Sequence, residues 1–211
     1  MRLIINIMKN LFILFLISCA FFSCKKERAF HITATNVATG ERIPNLRYYV
    51  VEASAGSFGE KTKTIREGDL DANGEAKFNI KIKNKKHVIR VVEPENNCYA
   101  ENISLTFGSK EDFKADFKFA PCGYLTINYN NINCEGIGDL MNFRRKYNYL
   151  DWDGWSSDRI GCYSYFSPTY VTIASGQIIH DLKVMRSGVE THIYDTIFLG
   201  AGEYKTINLD Y

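Results

Sequence analysis

The sequence lacks most of the features that identify nucleic-acid-binding, disordered or catalytic proteins. Its 211 residues include only 4 prolines and carry a formal charge of +2. These values exclude a proline-rich disordered chain and argue against a nucleic-acid partner, which usually requires a basic excess. Nucleophile-elbow, zinc-protease, phosphate-loop and dinucleotide motifs are also missing. We therefore predict no enzyme activity and no cofactor.

Only the N-terminus carries a long apolar run. Arg2 and Lys9 precede an apolar stretch from Leu11 to Phe22, which falls short of the roughly 20 residues that span a bilayer. The basic start followed by a short apolar core is typical of a secretory signal peptide over residues 1–23. Removing it takes Arg2 and Lys9 from the 26 basic residues and leaves 24, equal to the 24 acidic ones.

The apolar stretch ends in the sequence Ser-Cys-Lys-Lys-Glu at residues 23–27. This ending resembles the cleavage box of lipoproteins from Bacteroidetes-type bacteria. The resemblance implies lipidation of Cys24 by acyl chains such as palmitate, a tether over residues 24–28, and anchoring in the outer membrane. The basic residues after Cys24 favour the periplasmic face over the cell surface. Cys19 is the alternative lipidation site, but it would leave an apolar core of about seven residues, at the lower limit for a signal peptide.

Four cysteines remain in the body: Cys98, Cys122, Cys134 and Cys162. An exported chain meets an oxidising compartment, in which disulfides persist. Of the three possible pairings we predict the local one, Cys98–Cys122 with Cys134–Cys162. Each bridge closes a loop of roughly 25–30 residues, and loop-closure entropy makes each worth about 3 kcal/mol. No cysteine spacing fits a zinc site or a C-x-x-C redox centre.

The body has the pattern of β-strands separated by turns. Alternating or β-branched runs occur at residues 30–37, 46–51, 76–82, 88–92, 113–119, 124–129, 170–174, 178–185, 191–199 and 204–209. Asn73-Gly74 lies between two such runs and is a strong hairpin signal, because both residues accept positive φ. Strand-sized runs with little helical periodicity predict an all-β sandwich.

The first half has an opening strand, the turn Thr39-Gly40, a second strand, the turn at residues 71–74, and a closing strand over residues 113–119. In these features, residues 29–120 resemble the carboxypeptidase regulatory-like, transthyretin-like group of β-sandwich modules. The resemblance implies an accessory or adhesive module, and no catalytic residue carries over. The strand pattern restarts at residue 121 and predicts a second sandwich over residues 121–211. The predicted fold class is thus all-β, with two tandem small Ig-like or transthyretin-like β-sandwich modules.

An aromatic-rich insertion is predicted at about residues 135–168 in the second module. Eight of its 34 residues are aromatic, against 14% of the whole chain. Exposed Trp and Tyr rings suit protein interfaces or sugar stacking, and neighbouring arginines suit an acidic group. The candidate binding residues are Trp152, Trp155, Tyr147, Tyr149, Arg144 and Arg145. The alternative is that the tryptophans pack against a Cys134–Cys162 bridge and fill a small second core.

The remaining motifs are weaker. Asp195-Thr196-Ile197 resembles a short O-glycosylation triplet of the same bacterial group, which makes Thr196 a candidate. The sequence from Asp69 to Gly74 begins like a calcium loop, but its twelfth position is Ile80 instead of the required Glu. We therefore predict a turn there and no metal site.

These features predict a lipid-anchored envelope protein that acts as a non-catalytic binding or assembly component. The resemblance to lipoproteins implies an accessory subunit of an outer-membrane complex, attached to the membrane through its N-terminal lipid and to a protein partner. One alternative is a glycan-binding lipoprotein for nutrient capture. The other is a small hydrolase with no recognisable motif.

Overall fold

The computed structural model describes residues 27–56, 59–82, 85–108 and 112–211. Within these ranges the secondary structure is entirely strand and turn, so the predicted all-β fold class is confirmed. The predicted signal peptide, Cys19 and Cys24 lie outside the described residues, and lipidation stays a prediction. Glu27 and Arg28 end the predicted tether, but the structure pairs them with Lys81 and Ile80 of a neighbouring strand.

Fourteen strands occur in the described ranges. In chain order they are β1 (Glu27–Asn36), β2 (Arg47–Gly56), β3 (Gly59–Asp69), β4 (Glu75–Lys81), β5 (Lys86–Val91), β6 (Asn97–Ala100), β7 (Ser104–Phe107), β8 (Phe113–Asn130), β9 (Leu140–Tyr147), β10 (Arg159–Ile160), β11 (Val171–Ala174), β12 (Gly176–Arg186), β13 (Val189–Leu199) and β14 (Tyr204–Asp210). They form a six-stranded sheet around β8 and two four-stranded sheets, in the orders β3-β2-β5-β7 and β10-β9-β12-β13.

Strand β8 is the central strand of the six-stranded sheet and runs through both halves of the chain. Its first half pairs in parallel with β1, and its second half pairs in parallel with β14, while β6 and β11 pair with it in antiparallel fashion. Pro121 lies near its middle, opposite the point where the register of β6 shifts between Asn97 and Tyr99. Proline has no N–H to donate to the ladder, so within a sheet it is tolerated mainly at edges or at irregularities such as this one.

The predicted boundary near Ala120-Pro121 falls inside this continuous strand. The apolar core is nevertheless divided near this point. One cluster, which includes Phe30, Ile32 and Phe117, lies between the β8 sheet and the β3-β2-β5-β7 sheet. Two smaller clusters, around Leu182 and around Ile178, lie between the second half of β8 and the third sheet. The division into modules over residues 29–120 and 121–211 stays a proposal, with a shared strand between them.

The turn at Asn73-Gly74 forms, but the predicted hairpin is wrong. Gly74 has a φ of 68°, and the Asp71 carboxylate accepts the backbone N–H groups of Asn73 and Glu75 at 2.8 and 3.0 Å. The turn connects β3 to β4, which belong to different sheets and pair with β2 and β1 respectively. The signal identified the local turn but not the strands' partners, which are selected by the core.

Both predicted disulfides are confirmed. Cys98–Cys122 joins β6 to β8, and Cys134–Cys162 spans the aromatic-rich segment. Their Cα atoms are 4.9 and 5.2 Å apart, inside the usual range for a disulfide. The aromatic-rich segment itself contains strand β9, which pairs with β12 along its length. That segment is therefore partly sheet, and its non-strand portion is shorter than the predicted insertion.

Candidate binding surface

The outer face of the β9-β12-β13 sheet presents a cluster of cationic and aromatic side chains. Successive residues of a strand point to opposite faces, so Met141 and Phe143 of β9 face the core while Arg144 and Lys146 point outward. Lys183 on β12 and His192 on β13 lie on the same outer face, and they are opposite each other in register. Together with Trp152 and Trp155, these four residues are called the cationic-aromatic surface below.

A buried carboxylate lies beneath this surface. Asp181 on β12 is completely buried; it accepts a hydrogen bond from Arg144 Nε at 2.9 Å and contacts His192 Nδ1 at 2.6 Å. The hydrogen bond to Asp181 also raises the pKa of His192 above its usual value. A buried charge is tolerated only when it is paired and hydrogen-bonded. Asp181 therefore fixes the positions of the Arg144 and His192 side chains on the sheet.

The two tryptophans pack on these cations. The Arg144 guanidinium lies over both rings, 4.5 Å from the centroid of Trp152 and 4.3 Å from that of Trp155. Lys146 lies 5.0 Å from the centroid of Trp152, and Lys183 lies 5.0 Å from that of Trp155. All four distances are within the range of cation–π attraction. Neither indole belongs to a core cluster, so the alternative that they fill a second core is not what the structure shows.

The loop that carries the tryptophans is fixed along the edge of β9. The backbone N–H groups of Asp153 and Ser156 each donate to a β9 carbonyl, Arg145 O and Phe143 O, at 2.8 Å. Phe143 N–H in turn donates to Ser156 Oγ at 3.0 Å. These hydrogen bonds hold the loop beside β9, so the two indoles are fixed in position without a bound partner.

The six predicted binding residues do not form one group. Arg144, Trp152 and Trp155 lie together, whereas Arg145 and Tyr147 point to the opposite face of β9 by the two-residue period of a strand. Tyr147 packs against the core cluster around Ile178. Tyr149 stacks on Tyr147 at 5.3 Å and donates its hydroxyl to Ser175 O at 2.9 Å. Burial raises the pKa of both tyrosines, and they are packing residues here.

Sequence reasoning missed Asp181, Lys183 and His192, because the strands that carry them are distant in sequence from the tryptophans. Thr196 is exposed on β13, and its glycosylation stays a prediction.

In the described ranges, no three His, Cys, Asp or Glu side chains come together as metal ligands. The same ranges contain no helical segment with the length and apolarity of a membrane span.

Comparison with known proteins gives only distant structural likenesses. No family model matches the chain, and no curated protein matches it. Among solved structures, the minor pilin GBS52 of Streptococcus agalactiae is similar at 10% identity and a TM-score of 0.36, over 87% of this chain and 94% of that one. The shaft pilin spaA of Lactobacillus rhamnosus GG is similar at 9% identity and a TM-score of 0.34, over 88% and 98%.

The Bacillus anthracis TIE protein is similar at 17% identity and a TM-score of 0.35, over 88% of this chain. This chain spans only about a third of the length of the TIE protein, 33%. The resemblances to lipoproteins and to carboxypeptidase regulatory-like modules stay predictions.

Proposed function

We propose that this chain is a lipid-anchored, non-catalytic assembly component of the outer membrane, and that its cationic-aromatic surface binds an acidic region of a partner protein. The observation that supports this most directly is the Trp152–Arg144–Trp155 stack, built on the buried carboxylate of Asp181. Trp and Arg are the residue types most enriched among interface hot spots. Preorganised side chains also lose less conformational entropy on binding.

The same geometry favours a protein partner over a sugar. A sugar ring stacks on the flat apolar face of an indole, but here the Arg144 guanidinium contacts both rings, and Lys146 and Lys183 contact one each. Trp155 keeps only 38% of its surface exposed. The groups presented outward are therefore largely cationic side-chain ends. They suit carboxylates distributed over a protein surface, and the glycan alternative is less well supported.

Reversing two charges on the surface provides a test of this binding. In the Lys146→Glu/Lys183→Glu variant, recovery of the partner from solubilised membranes should fall more than about tenfold, because like charges brought together across an interface cost several kcal/mol. Co-purification with quantitative mass spectrometry measures the loss. A Lys61→Glu/Lys63→Glu variant carries the same charge change on exposed positions of β3 in the other half of the chain and should recover the partner normally. Equal recovery by both variants, or a chain that always purifies alone, contradicts the proposal.

Lipidation at Cys24 is the proposed membrane attachment. Strand β1 begins at Glu27, three residues later, so an extended connection of that length spans only about 10 Å. The body would then lie close to the bilayer surface. Several acyl chains, each contributing about 0.8 kcal/mol per buried CH₂, hold a protein on a membrane firmly.

We expect the Cys24→Ala variant to lose the lipid and to move from the membrane to the soluble fraction. Fractionation, with mass spectrometry of the mature N-terminus, measures both changes. Cys19→Ala is the matched control and should remain membrane-bound and acylated at Cys24. If Cys19→Ala leaves the membrane and Cys24→Ala does not, the alternative site is the correct one.

A further inference from the structure

A separate cavity of about 360 Å³ lies between the two layers of the second half of the molecule. Its apolar wall includes Leu125, Ile127, Phe143 and Ile173. Arg145 reaches it from β9, and Asp153 and Ser156 reach it from the tryptophan-bearing loop. A mostly apolar cavity of this volume with a few convergent polar groups has the anatomy of a small-molecule site.

Arg145 belongs to a row of polar residues that crosses the core-facing side of the third sheet. The register places Arg145 of β9 opposite His180 of β12, and His180 opposite Asp195 of β13. The next row on one side is apolar: Tyr147, Ile178 and Ile197. So is the next row on the other side: Phe143, Leu182 and Ile193. The polar row thus separates the two small core clusters.

His180 is the member of this row that is costly to bury. His180 is completely buried, and neither of its ring nitrogens has a hydrogen-bond partner among the described residues. Burial lowers the pKa of His180 to about 4, with the nearby charge of Arg145 adding to the effect. An unpaired buried polar group costs free energy that an apolar side chain of similar size would avoid. Departures of this kind from an apolar core are expected at functional sites, and Arg145 is the member of the row that lines the cavity.

The guanidinium of Arg145 is also available to a ligand. Arg145 donates from Nε to Asp153 Oδ2 at 3.2 Å, and this is its one side-chain hydrogen bond in the described part of the chain. The pair is open to solvent, since 35% of the Arg145 side chain and 56% of that of Asp153 are exposed. Exposed ion pairs contribute little. A carboxylate bound at the guanidinium can therefore replace Asp153 at low cost.

We propose that this cavity binds a small molecule that has an apolar body and a carboxylate head, with the body against Phe143 and Ile173 and the head on Arg145. A guanidinium suits this role because its N–H groups match the two oxygens of a carboxylate. Arg145 points to the opposite face of β9 from the cationic-aromatic surface, although Arg144 and the tryptophan-bearing loop also line the cavity.

The test compares an acid with its neutral counterpart. The probes are 4-phenylbutyrate and 4-phenylbutanol, which share the same apolar body. Each is titrated by ligand-observed NMR against the full chain in lipid nanodiscs, with empty nanodiscs as the blank. The acid should bind about tenfold more tightly than the alcohol, as expected for one charge-assisted interaction. Arg145→Gln should remove this preference, whereas Lys146→Gln, the adjacent residue on the opposite face, should retain it.

The Val171→Trp variant tests independently whether the probes bind in this cavity. Val171 lines the cavity and is 56% exposed, so a larger side chain there should block both probes without disturbing the core. Circular dichroism melting checks that each variant is folded. The proposal is overturned if the acid shows no saturable binding at millimolar concentration, or if acid and alcohol bind equally. It is also overturned if Lys146→Gln weakens the acid as much as Arg145→Gln does, or if Val171→Trp leaves binding unchanged.

Discussion

Replacing Arg144 with methionine is expected to lower the free energy of unfolding by about 3–5 kcal/mol. The cause is the carboxylate left behind: breaking a buried ion pair from one side is strongly destabilising, and without Arg144 the desolvated charge keeps only His192 beside it. Asp181 is completely buried, while the Arg144 side chain is 27% exposed. The loss is therefore asymmetric. Asp181→Leu removes the buried charge and leaves cations that water can reach, so it should cost less than Arg144→Met.

The pH dependence of Arg144→Met provides an internal check. In this variant His192 is the remaining cationic partner of Asp181, at 2.6 Å. Its pKa is raised in the folded state, chiefly by the hydrogen bond to Asp181. The stabilisation is therefore fully present below the unfolded pKa of about 6.5 and is lost as the pH rises through the raised folded value. Denaturant titrations at about pH 6 and about pH 9 should show Arg144→Met losing more stability than wild type over that interval.

Arg145→Met is the matched control for this prediction. Its partner Asp153 is 56% exposed, so losing that ion pair should cost less than about 1 kcal/mol. The Arg144→Met/Asp181→Leu double variant should recover much of the stability, because removing both members of a buried pair is often close to neutral. Equal losses for Arg144→Met and Arg145→Met would show that Asp181 is not the buried anchor of this surface.

The sequence predicts the strand architecture well where alternation involves apolar residues. Strand β3 was missed because its sequence is rich in lysine and threonine, which is how an exposed edge strand avoids pairing with other chains. Strand β9 was missed because its outward-facing Arg144 and Lys146 alternate with inward-facing residues that include Arg145. A charged residue on the inner face breaks the apolar-polar alternation by which a half-buried strand is recognised.

The candidate site was only partly predictable. The separation of Arg144 from Arg145 follows from strand period once β9 is known. The position of the tryptophans depends on backbone hydrogen bonds between their loop and the edge of β9, which no local pattern encodes. Asp181 and Arg144 are 37 residues apart in sequence and meet only because β12 pairs with β9. The polar row at His180 is likewise a product of register, because its three members come from three different strands.

Phe117→Ala is expected to destabilise the whole described body and not only its first half. Phe117 is completely buried in the larger core cluster, and removing a buried phenylalanine side chain costs about 3–5 kcal/mol. Both tryptophans of the chain lie in the second half, so their fluorescence reports on the distant module. If β8 couples the modules, the fluorescence transition should move to lower denaturant together with the transition seen by far-ultraviolet circular dichroism.

The coupling has specific physical routes across the proposed boundary. Strand β8 is continuous, and Cys98–Cys122 joins it to β6. Tyr99 of β6 also packs against Tyr149 across the boundary, with ring centroids 5.1 Å apart. Leu182→Ala is the reciprocal variant, with an expected cost of about 2–5 kcal/mol. A fluorescence midpoint that is unmoved by Phe117→Ala but lowered by Leu182→Ala would mean that the two sandwiches unfold independently despite their common strand, because the hydrogen bonds of each half of β8 would then be lost separately.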